Sequence, residues 1–221
     1  MRVLAQIQRL LAEIYDLDVT HDVRDFLVTD RRRLPAAARA NAAHQDEELL
    51  VAQDEDELVL SLYLDARVLA RLARRDPLRQ LDARNVADWW TVLEGVSHFV
   101  YLTHNARFDR PVDLLALELQ AEVDKYVASL WLLRSQAPER LPLELHPLLF
   151  ERTHIDRVRA GGRFNLYAAA SRHAGAFCRR FERGLARARE AAARPFVTDQ
   201  LRELRRFYRQ GSAQKMLTCA V

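Results

Sequence analysis

Residues 86–135 read VADWWTVLEGVSHFVYLTHNARFDRPVDLLALELQAEVDKYVASLWLLRS, and the fold follows from how this stretch divides. Two long apolar runs flank Asn105 to Pro111, where an asparagine, an aspartate and a proline supply turn chemistry. Asn85 suits a helix cap, with Asp88 three residues inside it. Pro111 suits the first turn of a second helix, and Asp113 favours the positive end of its dipole. The spacing therefore predicts two helices, one to about His104 and one to about Ser135, folded back as a hairpin. The first is apolar almost all round, through Trp89, Val92, Leu93, Val96, Phe99 and Val100, which marks a central helix.

Ionisable groups interrupt these runs at one-turn spacing: Glu94 and His98 on the first helix, Glu118 and Glu122 on the second. In an antiparallel hairpin, Glu94 and Glu122 stand at similar distances from the turn, as do His98 and Glu118. At 1.5 Å per residue each pair differs in height by about 3 Å. One imidazole among carboxylates suits a divalent ion such as Mn, Fe or Zn, so Glu94, His98, Glu118 and Glu122 are the candidate metal ligands. Glu94, His98 and Glu122 are equally the candidates for acid–base chemistry, because burial moves carboxylate and imidazole pKa values toward neutrality. The competing expectation is a structural polar cluster satisfied by its own hydrogen bonds. Glu151-Arg-Thr-His154 has the Glu-x-x-His spacing of bundle metal sites. Ser97 lies next to His98, so the two side chains diverge by about 100° on a helix, and no nucleophile motif occurs.

Outward from the hairpin, Val3, Ile7, Leu10, Leu11 and Ile14 predict an amphipathic helix over residues 2–15. Residues 25–29 are expected as a short strand. Leu58, Leu60, Leu62 and Leu64 alternate with Val59, Ser61 and Tyr63, so residues 48–64 predict a β-hairpin with an acidic tip at residues 54–57. Asp65 caps a helix to about Arg75, and a short helix is expected after Pro147. Gly161-Gly162 marks a break. Residues 164–194 read as one long helix, disturbed at Gly175 and Gly184 and stopped by Pro195, and a last helix runs from Thr198 to Gln210. The expected fold is mainly α: a helical bundle built around a long central helical hairpin, with a small antiparallel β-hairpin near the N-terminus. Residues 1–221 are read as a single domain, divisible into an acidic body (1–160) and basic C-terminal helices (161–221).

The net charge of +3 hides a lopsided distribution. Residues 1–156 sum to −8 and residues 157–221 to +11. That asymmetry points to an anionic partner, or to the two parts attracting each other. Arg179, Arg180, Arg183, Arg187, Arg202, Arg205, Arg206 and Arg209 are the candidate anion or nucleic-acid contacts. Every fixed cation is arginine except Lys125 and Lys215. Cys178 and Cys219 form no CxxC and read as reduced thiols, Cys178 buried and Cys219 near the chain end. No run of about 18 apolar residues exists to span a membrane, and no signal-peptide pattern opens the chain.

The expected function is that of a non-catalytic cytoplasmic protein, without cofactor, that binds another protein through its acidic body and arginine-rich helices. The alternatives are a metal- or acid/base-dependent enzyme centred on the Glu/His cluster, and a nucleic-acid-binding protein using the C-terminal arginines.

Overall fold

A computed structural model describes residues 2–35, 45–54, 57–138, 144–152, 161–187, 196 and 198–220. Helix α1 (Arg2–Tyr15) opens the chain, its apolar stripe Leu4, Ile7, Leu10, Leu11 and Ile14 buried. A 3₁₀ turn (Val23–Phe26), capped by Asp22, leads into the two-residue strand β1 (Leu27–Val28). Strands β2 (Glu47–Asp54) and β3 (Glu57–Leu64) pair antiparallel as a hairpin, and β1 pairs parallel with β3, so the sheet order is β1-β3-β2. The alternation in β3 sends Leu60, Leu62 and Leu64 into the main core, while Tyr63 on the other face packs with Leu34.

The helices follow: α2 (Ala66–Arg74), α3 (Val86–Ala106), α4 (Leu114–Gln136), α5 (Phe164–Arg187), α6 (Thr198–Tyr208) and α7 (Ser212–Ala220). Asp113 caps α4 through the Ala116 amide at 2.7 Å, and Asp65 caps α2 through the Arg67 amide at 2.8 Å. Asn85 occupies the cap position of α3 but spends its side chain differently. It donates to the Arg75 and Gln80 carbonyls and accepts from the Asp82 amide, so it fastens the α2–α3 connection.

Helices α3 and α4 run antiparallel. The Trp89 and Trp90 indoles both donate to Ser129 Oγ at 3.0 Å, and Ser97 Oγ donates to Asp124 at 2.6 Å. These cross-links descend one helix as they climb the other, as a hairpin requires. One continuous apolar core takes in residues from Leu4 to Cys219, those of α3 and α4 among them.

The structure differs from the sequence expectation at several elements. The strand expected over 25–29 is a 3₁₀ turn followed by two paired residues, so the sheet is mixed, not a lone antiparallel hairpin. Pro147 does not precede a helix but lies inside a helical segment over residues 145–152, whose second part is a π-turn. Gly161-Gly162 forms a 3₁₀ turn that runs directly into α5. Gly175 does not disturb α5: a Cβ there would meet the Phe150 ring at 3.2 Å, so the glycine lets the 145–152 segment approach the helix closely. The last helix stops at Tyr208, and Gly211 separates it from α7, which the sequence pattern did not reveal. Cys178 and Cys219 are both buried and free. Residues 55 and 56 of the acidic tip, His154, and residues 188–195 with Pro195 lie outside the described residues. No helix among the described residues is long and apolar enough to cross a membrane.

Candidate metal centre

The hairpin brings together the groups that the helical spacing placed on facing stripes. Glu94, His98 and Glu118 each offer one ligand atom, and these atoms all lie within 4.8 Å of one another. His98 Nε2 makes an ion-pair contact with Glu118 Oε2 at 3.6 Å, and this buried nitrogen has no closer hydrogen-bond partner among the described residues. The His98 side chain is only 6% exposed. Glu122 stands one turn along α4 from Glu118, but its carboxylate is taken by Lys125, whose Nζ lies 2.5 Å from Glu122 Oε1 and 3.1 Å from Glu94 Oε2. Of the four predicted ligands, three therefore converge, and Glu122 sits across a lysine from them.

Glu47, at the start of β2, completes the cluster. Its Oε1 lies 3.4 Å from His98 Nδ1. The approach depends on Gly95, where a Cβ would stand 2.8 Å from Glu47 Cγ and 2.9 Å from Leu62 Cδ1. Any side chain at Gly95 would push the sheet away from α3. With Glu47 facing Nδ1, the other ring nitrogen is the one turned toward Glu118. A carboxylate that fixes an imidazole in this way is the usual outer partner of a metal-bound histidine.

The electrostatics follow from four carboxylates packed around two basic groups. Burial pushes Glu47 up to about 7, against the pull of His98. Burial also raises Glu122, with Lys125 opposing. Burial would raise Glu94 too, yet the charges of Lys125 and His98 and the Lys125 hydrogen bond hold it below the usual carboxylate range. Burial disfavours the His98 imidazolium, but Glu118 and Glu47 outweigh it and carry its pKa well above the ordinary value. For Lys125, burial is likewise overcome by Glu122 and Glu94. Among the described residues, Lys125 is the only permanent cation in hydrogen-bond contact with these carboxylates. The cluster thus carries more carboxylate than fixed positive charge, in a place where water screens poorly.

The site is not sealed. The Glu94 side chain is 29% exposed and that of Glu122 20%. Tyr167 on α5 is half-buried beside this opening, where burial and the Glu118 charge raise its phenol pKa while its hydrogen bond to Arg163 opposes.

A second polar network lies deeper along the hairpin and was not apparent from helical spacing. Asp124 accepts from Tyr15 Oη at 2.5 Å, Ser97 Oγ at 2.6 Å and Gln120 Nε2 at 2.7 Å. Gln120 in turn accepts from Lys215 Nζ of α7 at 2.5 Å. That ammonium sits 4.2 Å from the Tyr101 ring centre and 5.0 Å from that of Phe207. One signal could have found both networks. Every fixed cation of the chain but two is arginine, and the two lysines that depart from this are both buried.

Several of the C-terminal arginines are engaged within the chain. Arg205 donates to the Ile14 and Glu13 carbonyls, and Arg209 to those of Tyr15 and Asp16. Arg180 donates to the Thr218 carbonyl, Arg179 pairs with Glu151, and Arg202 pairs with Asp199. Arg183 and Arg206 are exposed. Arg187 ends α5, and its side chain lies outside the described residues.

The chain matches no known protein-family model, and neither curated proteins nor solved structures yield a match.

Proposed function

We propose that this protein is a metal-dependent enzyme whose divalent ion is held by Glu94, His98 and Glu118. The observation that carries this reading is the convergence of Glu94, His98 and Glu118, whose ligand atoms lie within 4.8 Å of one another, with the buried His98 Nε2 3.6 Å from Glu118. An ion at this position would bond the His98 nitrogen, which makes only the 3.6 Å contact with Glu118. Imidazole with two carboxylates is a ligand set for Mn, Fe or Zn. Three protein ligands leave coordination positions open, which is the pattern of a catalytic rather than a structural ion. The partial exposure of Glu94 supplies a route from solvent. At such a centre the chain's own parts divide the work. Glu47 orients the imidazole, Gly95 admits Glu47, and Lys125 fixes Glu94.

Reconstitution tests the reading. The protein is stripped with chelator, dialysed against Mn, Fe or Zn in turn, and its metal content measured beside His98→Ala and Glu118→Gln. One ion per chain in the wild type and less than a tenth of that in His98→Ala is the expected result. A wild type that retains no stoichiometric ion, or an alanine variant that retains it undiminished, would end this proposal. A role in binding protein or nucleic acid through the arginine-rich helices draws less support, because five of the eight candidate arginines are engaged within the chain.

A further inference from the structure

Glu94 faces two cation positions at once. On one side it belongs to the ligand group with His98 and Glu118. On the other, its Oε2 receives the Lys125 ammonium at 3.1 Å, and the same ammonium reaches Glu122 on α4 at 2.5 Å. A carboxylate shared between two cations, with a further carboxylate behind the second, is the arrangement of a two-metal centre. Here the second position already holds a positive charge that belongs to the protein.

We propose that the Lys125 ammonium takes the place of a second divalent ion, so that the site is limited to one metal and completed by an internal cation. The inference rests on the metal reading of Glu94, His98 and Glu118. Three features favour it. The ammonium lies between one carboxylate from each helix of the hairpin, as a bridging ion would. It is a compact point charge on a flexible stem, the form of cation that fits where a guanidinium fork would not. It is also one of only two lysines in a chain whose other fixed cations are all arginine. The side chain is 10% exposed and interacts with both carboxylates, so it is built into the cluster. A mononuclear centre flanked by a fixed positive charge accepts an anionic oxygen ligand more readily than a neutral one, because the ammonium lies one carboxylate away from the ion.

The test counts ions. Wild type and Lys125→Ala are titrated with Mn²⁺ alone. Bound ions per chain are read by native mass spectrometry, and magnetic coupling by electron paramagnetic resonance. The wild type is expected to bind one Mn²⁺ with the signal of an isolated ion. Lys125→Ala, with Glu94 and Glu122 freed, is expected to bind two, with the isolated-ion signal lost through coupling. Adding Glu122→Gln to that variant should return the count to one. Two ions in the wild type would overturn the inference, as would a single ion in a folded Lys125→Ala. No ion in the wild type would instead sink the metal reading itself, and the inference with it. Circular dichroism checks the fold of each variant. If Lys125→Ala does not fold, Lys125→Ser replaces it, and the wild-type count alone still suffices to overturn the claim.

Discussion

Lys215 shows what a single residue can decide. Its amine is fully buried against Tyr101, Phe207 and Tyr208, with Gln120 as its hydrogen-bond acceptor and Asp124 one link further on. Burial lowers the amine to about 7, with the Asp124 charge opposing. Burial also raises Asp124 to about 6, against its Ser97, Tyr15 and Gln120 donors. In the unfolded chain a lysine titrates near 10.4. Between pH 7 and 10 the unfolded chain therefore holds a proton at this site that the folded protein has released. Stability from this group rises with pH across that window, by up to about 1.4 kcal/mol per pH unit for one proton, and the penalty is full below pH 7. Lys215→Met removes the titrating group while keeping a long apolar side chain. Urea denaturation of both proteins at pH 7, 8 and 9 should show the wild type gaining on the variant as pH increases. A constant difference between the two curves would refute the lowered amine.

At the scale of elements, the hairpin of α3 and α4 was readable because three local signals agreed: apolar runs of helical length, polar turn residues between them, and Asp113 at the start of the second. What the sequence could not show was which long-range partners the polar stripe would meet. His98 finds Glu47 across 51 positions of chain, and Lys215 finds Gln120 across 95. Helical periodicity carries no information about contacts of that length. Short elements escaped for a different reason. Two paired residues give β1 no alternation to detect, and Gly211 reads as a terminator although α7 begins one residue later. The hairpin also has a polar fastening. Ser129 Oγ accepts from the Trp89 and Trp90 indoles, and the serine is fully buried. Ser129→Ala would orphan both donors, at a cost of about 1–3 kcal/mol for each that remains buried. Chemical denaturation should register a loss of about 2 kcal/mol or more. A variant as stable as the wild type would show that the indoles find other acceptors.

At the scale of the whole molecule, some of the C-terminal arginines are spent within the chain. The basic C-terminal helices lie against the acidic first part, and Arg205 and Arg209 of this region reach the end of α1. There α1 stops with Asp16 in the left-handed region (φ 57°), leaving the carbonyls of its last turn without helical partners. The two arginines donate to three of these terminal carbonyls, those of Glu13, Ile14 and Tyr15, and to that of Asp16 just beyond, while Tyr15 stacks on Tyr208 at 4.3 Å between ring centres. Cations at a helix C-terminus also complement its dipole. The double variant Arg205→Ala/Arg209→Ala should therefore lose about 1–3 kcal/mol of stability. Part of that loss is electrostatic, so it should shrink as ionic strength is raised from about 0.1 M to about 1 M, where the screening length falls from about 10 Å to about 3 Å. The hydrogen-bonded part should persist at high salt. Thermal unfolding at the two salt concentrations separates these contributions. Equal melting temperatures for variant and wild type at low salt would show that the arginines do not hold the C-terminal helices to α1, and that stacking and the apolar core alone keep them there.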